Sequence, residues 1–190
     1  MRLKARIRSR LSSSHRRRYP TTEEALSFLR KNGCNTKIIK HSITVAKTAI
    51  EIAESYVKKG TRVDLALVRT GALLHDVGRS VSMDVNHGIE GGRLLREAEL
   101  EEDLARIAER HVGAGITKDE ARKLGLPSKD LIPETPEEKI VCYADKLVSG
   151  SIVTRIDDVI EDFSLKLGRD HPSIPRLKRL HEEINRNTTG

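Results

Sequence analysis

The sequence predicts an all-α protein, an irregular helical bundle in one domain, and three observations carry that reading. Apolar residues recur every three to four positions along most of the chain. Three Thr-x-x-Glu strings mark helix starts, at Thr21, Thr117 and Thr135. No segment alternates with period two for long enough to make a convincing strand. The 190 residues, 37% hydrophobic and 33% charged, are those of an ordinary single domain. A chain of this length buries roughly 70% of its unfolded surface and needs neither disulfide nor metal to fold, so any metal site would serve chemistry. Nothing approaches the roughly 18 to 20 apolar residues of a membrane span, and no repeat is visible.

The first element is a basic arm, 1–20. Residues 1–18 hold eight Lys or Arg and no acid, which leaves 35 − 8 = 27 basic against 28 acidic residues in the rest, a net of −1. Like charges with few large apolar groups predict an arm that is mobile or at most a marginal helix. Its functional reading is electrostatic contact with RNA or another polyanion, and its bland one an exposed tail. Two cysteines are too few for a secreted framework, and 1–18 lack the apolar run of a signal peptide, so a cytoplasmic location is expected, with no membrane contact.

The folded domain should span 21–190, with a core over 22–167 and covering helices over 168–190. A capping box opens a helix over 22–31. Further helices are expected over 36–59, 64–76, 87–98, 101–111, 118–124, 136–150 (Pro136 at its first position), 152–167 and 173–186. Gly33, Gly60, Gly78, Gly125 and Gly168 fall where the apolar period runs out, as stops that accept a left-handed conformation. Segments 79–86, 112–117 and 126–134 gather turn residues and read as loops. Asn185 to Gly190 should fray.

Five polar residues fall on apolar stripes. His41 is in line with Val45, Ala49 and Ala53. His75 follows Val68, Gly71 and Ala72, and His111 follows Leu104, Ile107 and Ala108. Asp145 is flanked by Val141, Cys142 and Val148, and His87 leads to Gly91, Leu94 and Leu95. One such histidine is ordinarily a hydrogen-bonded core residue. A cluster differs, because Asp76 or Asp145 facing inward without a cation or a donor network would incur several kcal/mol of desolvation. A dication among neutral imidazoles supplies that charge, and mixed imidazole and carboxylate donors suit Fe, Mn, Zn, Co or Ni. Neighbours on a helix point about 100° apart, so His75 and Asp76 reach one ion only near a helix end, or with an ion to either side. Gly78 should supply the end.

His41, then His75-Asp76 in HDVGR, then Asp145 in YADKL, resemble the H…HD…D signature of the HD-domain superfamily of metal-dependent phosphohydrolases over roughly 22–167. His87 in HGIEGGRLL and His111 in RHVGAG resemble the extra histidines of its binuclear diadenosine tetraphosphatase-like group. The resemblance implies one metal held by His41, His75, Asp76 and Asp145, and a second held by His87 and His111 with Asp76 bridging. It also implies hydrolysis of a nucleotide or other phosphate ester by a metal-bound hydroxide. Two dications less two carboxylates leave +2, or +1 with hydroxide, a surplus that suits a phosphate. Arg79, where related proteins often carry Lys, and Lys146 are candidate phosphate contacts beside the catalytic Asp76, against a plainer reading as surface charge. The same ligand set also resembles HD-type di-iron oxygenases. A third reading is a non-catalytic module binding a nucleotide or RNA, against which the complete ligand set argues.

Glu90 could orient an imidazole or water, or be solvated. Cys142 should pack as a buried hydrophobe, Cys34 has no assigned role, and His15, His171 and His181 lie in polar, exposed-looking surroundings. There is no Walker A, GxGxxG, CxxC or Gly-x-Ser-x-Gly string, and 3% aromatics leave little for base stacking on the folded body.

Overall fold

The computed structural model describes residues 19–188, so the arm reading, His15 and the last two residues lie outside the described part. The described residues form nine α-helices: α1 Thr22–Lys31, α2 Thr36–Lys58, α3 Leu65–Leu74, α4 His87–Glu97, α5 Glu102–Arg110, α6 Lys118–Lys123, α7 Pro136–Leu147, α8 Ile156–Leu167 and α9 Ser173–Thr188. The all-α expectation holds.

Their starts follow from local chemistry. Thr21, Thr117 and Thr135 form complete capping boxes with Glu24, Glu120 and Glu138, which satisfies otherwise orphaned amides at three helix ends. Asn35 and Asp64 cap α2 and α3 with their side-chain oxygens.

α2 lies along α3 and α7, and α5 packs on α3 and α4. The main core joins Ala25 and Leu29, Val45 and Ala49, Val68 and Ala72, Leu104 and Ile107, Ile140 and Val141, and Ile184. Close approach is built in: a Cβ at Gly71 would sit 2.5 Å from Ile107 Cδ1, so α5 rests directly on the α3 backbone.

The structure corrects four expectations. The helices predicted over 136–150 and 152–167 are separated by a hairpin, β1 Val148–Ser149 and β2 Ile152–Val153, with Val148 opposite Val153 and Ser149 opposite Ile152. β-branched Val148, Ile152 and Val153 lie in the two strands, and the φ of +64° at Gly150 suits the first position of the two-residue turn between them. The helix predicted over 64–76 ends at Leu74, and Val77–Ser80 form a 3₁₀ turn that runs into the loop expected over 79–86. Gly78 is not left-handed; its Cβ would lie 1.9 Å from the His87 carbonyl oxygen, so glycine serves contact with α4. Asn185 does not fray: α9 runs to Thr188 with Ile184 in the core.

Candidate metal centre

Three helices aim their C-terminal ends at one place. His75 is the C-cap of α3, His111 the C-cap of α5, and Asp145 lies in the last turn of α7. Each end carries the negative pole of its helix dipole, so their convergence favours a cation. His87, the first residue of α4, and His41, in the second turn of α2, close the ring. Asp76 enters because the backbone leaves the helix there (φ −99°, ψ 13°), turning it from the direction an uninterrupted helix would impose.

Four backbone carbonyls orient the four imidazoles. Nδ1 lies 2.7 Å from Ala72 O in His75, 2.7 Å from Ala108 O in His111, 2.5 Å from Asp84 O in His87 and 2.9 Å from Gly150 O in His41. A carbonyl only accepts, so each Nδ1 carries the hydrogen, and in the neutral ring Nε2 turns a lone pair inward. That backing is the usual support of a metal-ligating histidine.

Asp76 divides the lone pairs between its two oxygens. Oδ2 faces Nε2 of His75 at 3.7 Å and of His41 at 3.8 Å, while Asp145 Oδ1 lies 2.9 Å from His41 Nε2 and 3.3 Å from His75 Nε2. Oδ1 faces Nε2 of His87 and of His111, both at 3.3 Å. The His87 and His111 Nε2 atoms are 3.0 Å apart, a contact between two lone pairs unless a cation or proton lies between them. Among the described residues, buried His75 Nε2 and Asp76 Oδ1 find no hydrogen bond of proper geometry. Donor atoms of His41, His75 and Asp145 lie within 4.8 Å of one another, as do those of His75, Asp76 and His111. Convergent imidazole and carboxylate donors, with buried atoms left without partners, fit a divalent transition metal.

Protonation follows the geometry. Burial raises the Asp76 pKa, but His75, His111 and His87 outweigh it and hold the carboxyl well below its usual range. Burial likewise raises Asp145, and Lys146, His41 and His75 bring it well below. Burial lowers His75, but Asp76 and Asp145 carry it above 6.5, whereas burial wins at His111 and pushes it down to about 4. Two ionised carboxylates and an unprotonated His111 are the forms a metal requires.

The two predicted cations are at the same place. Arg79 Nε donates to Asp76 Oδ2 at 2.6 Å, and Lys146 Nζ lies 2.6 Å from Asp145 Oδ2. Each is tied to a carboxylate of the cluster, with the Arg79 side chain 30% exposed.

Other expectations change. Glu90 accepts from Arg93 and Asn86 rather than orienting an imidazole. Cys142 is buried as expected, with its thiol pushed up to about 12 by burial and its Sγ 3.5 Å from His111 O. His181 is not simply solvated, for its Nδ1 lies 2.6 Å from Tyr143 Oη and its ring stacks on that tyrosine, tying α9 to α7. His171 Nδ1 accepts from the Ser173 amide. Sequence reasoning missed the carbonyls of Ala72, Asp84, Ala108 and Gly150. The first three lie three residues before their histidines, a spacing visible in the sequence, whereas Gly150 had no signal.

A family model described as HD domain matches residues 38–150, a span that holds all six clustered residues. The chain is 52% identical over 163 residues to the uncharacterized protein MJ0778 of Methanocaldococcus jannaschii, covering 86% of this chain and 96% of that one. It is 40% and 36% identical, over 166 residues, to tRNA (cytidine(56)-2′-O)-methyltransferases of Picrophilus torridus and Thermoplasma volcanium. It covers only 47% of each, so it spans about half the length of those two relatives. Among solved structures it is similar in fold to the HD domain of the Listeria monocytogenes phosphodiesterase PgpH in complex with cyclic-di-AMP. The TM-score is 0.52 at 19% identity, covering 84% of this chain and 92% of that one.

Proposed function

The chain belongs to the HD-domain superfamily of metal-dependent phosphohydrolases, and from that premise we propose that it hydrolyses a phosphate ester of a nucleotide at a binuclear centre. The observation that carries the reading is the division of Asp76, one oxygen facing His41 and His75 and the other His87 and His111. His41, His75, Asp145 and Asp76 Oδ2 would hold one ion, and His87, His111 and Asp76 Oδ1 the other. Bound divalent ions supply Lewis acidity and a nucleophile at neutral pH.

The chain's own residues do the rest. The four carbonyls hold each neutral imidazole in the tautomer whose Nε2 lone pair is aimed inward. Asp76 and Asp145 remain ionised over the working pH range because their partners outweigh burial. Arg79 uses Nε on Asp76, which leaves its terminal N–H groups for a phosphate oxygen, and Lys146 adds a second positive charge beside Asp145. The cyclic dinucleotide held by the PgpH domain and the tRNA named for the methyltransferase relatives both support a nucleotide ester.

The test is metal analysis of the purified chain, followed by a phosphatase and phosphodiesterase screen with Mn, Fe, Co and Ni. Two ions per chain are expected, falling towards one in His87→Ala and His111→Ala, with turnover of a nucleotide ester. Absence of ester hydrolysis with every metal, or oxygen consumption by the iron form, overturns the reading.

A further inference from the structure

Between Glu24 and Glu51 the chain has no acidic residue, yet it carries Arg30, Lys31, Lys37, Lys40 and Lys47. All five are exposed, and among the described residues none of their side chains has a hydrogen bond or ion-pair partner. On α4 and α5, by contrast, Arg93, Arg96, Arg106 and Arg110 each rest on a carboxylate.

Stability does not account for them all. Arg30 and Lys31 sit in the last turn of α1, where a cation complements the helix dipole. Lys37 sits in the first turn of α2, which has no acid to offset it and where the dipole disfavours a cation, and Lys40 follows just beyond that turn. Such an arrangement invites an external anion.

The location says which kind. Lys37, Lys40 and Lys47 share one face of α2, the helix that supplies His41. The link after α1 touches the other side of the centre, with Cys34 Sγ 3.7 Å from the carbonyl of Val77, the residue after Asp76. From Lys37 to Lys47 is about 15 Å of helix. That length matches roughly four phosphates of a stacked strand at ~3.4 Å each, too long for a mononucleotide.

We propose that this basic track binds the phosphate backbone of RNA and leads it to the metal centre, making the substrate a polynucleotide rather than a free nucleotide. Substrate status rests on the phosphohydrolase reading; the binding does not. RNA rather than DNA is favoured because two relatives containing the matched region are named as tRNA-modifying enzymes.

The experiment follows anisotropy of a labelled single-stranded RNA against salt for the full-length chain, for K37Q/K40Q/K47Q, and for K123Q/R169Q/R179Q, which loses the same charge elsewhere. Glutamine keeps helix propensity, so α2 should persist. Expected is a log–log salt slope about 2 units shallower in the α2 variant, from three contacts at ~0.7 each, and a much smaller change in the control. Hydrolysis of bis(p-nitrophenyl) phosphate by the Mn-loaded chain should be the same in all three. Equal slopes for both variants, or an unchanged slope in the α2 variant, overturn the track. Equal or tighter binding of DNA of the same sequence overturns the assignment to RNA. A chain that binds RNA through α2 but hydrolyses no ester sinks the hydrolase reading and leaves the track standing.

Discussion

The two ends of helices α3, α5 and α7 both gather ionisable side chains, and they treat them in opposite ways. At the N-terminal ends a cavity of about 470 Å³ is lined by Tyr19, Asp64, Asp103, Arg106, Glu137 and Glu138 among others. Every one of those carboxylates is satisfied from within the chain. Asp64 caps α3, Glu137 accepts the Asp64 amide, Asp103 accepts from Tyr19 and Arg106, and Glu138 accepts from Arg110 and the Glu134 amide. At the C-terminal ends His75 Nε2 and Asp76 Oδ1 are buried and, among the described residues, find no hydrogen bond of proper geometry. One end spends its charges on the fold, while the other gathers donors that the fold itself does not use.

The largest expected effect breaks that comparison at Asp76. Asp76→Asn keeps the shape but loses the charge shared by both halves of the cluster. Ester hydrolysis should fall by on the order of 10³-fold or more, beyond the ~10 to 100-fold that outer partners of a metal site command. Circular dichroism should show the helices intact, and retained turnover would remove Asp76 from the chemistry. At the other end, Glu138→Ala strips Arg110 and a capping box of their acceptor. It should cost about 2 to 4 kcal/mol in a denaturant titration, while hydrolysis below the melting transition stays near wild type.

The same division explains what could be read beforehand. Helices were legible because caps and apolar periods are local, as at Thr21 and Thr135. The candidate ligands were legible because His41, His111 and Asp145 interrupt apolar stripes. The hairpin at 148–153 was not, since two-residue strands have no period to detect and Gly150 fell at the end of the helix expected over 136–150. Its carbonyl orients His41 across 109 residues of sequence, so this part of the site was invisible as well. The tie of Arg79 to Asp76 and the aromatic contact of His181 likewise depend on distances that composition does not hold.

Gly78→Ala loads only the metal end. The added Cβ would lie 1.9 Å from His87 O and 2.4 Å from Gly91 N, both backbone atoms of α4, so the helix itself must shift. A loss of about 1 to 3 kcal/mol is expected from such overpacking. Because α4 begins at His87, the ion proposed at His87 and His111 should be lost from the metal content before the fold is lost. Unchanged metal content and melting temperature would show that the turn does not fix His87.

The smallest effect is in the pH dependence of the metal-free chain, where burial holds His111 near pKa 4 against about 6.5 when unfolded. Between those values the unfolded chain binds a proton that the folded chain refuses. The His111 contribution is therefore complete above about pH 6.5 and is lost as pH falls towards 4. Asp76 and Asp145, with pKa values held below the carboxylate range, contribute above that range and lose their share only under more acid conditions. His75, raised above 6.5, contributes below that value and loses its share as pH rises through its folded pKa, outside the same window. After chelation the melting temperature should decline from pH 6.5 towards 4, and His111→Gln should flatten the decline. Gly78→Ala, which removes no titrating group, should lower the whole curve without changing its slope. A slope that survives His111→Gln would mean that the buried imidazole is not what makes the metal end sensitive to acid.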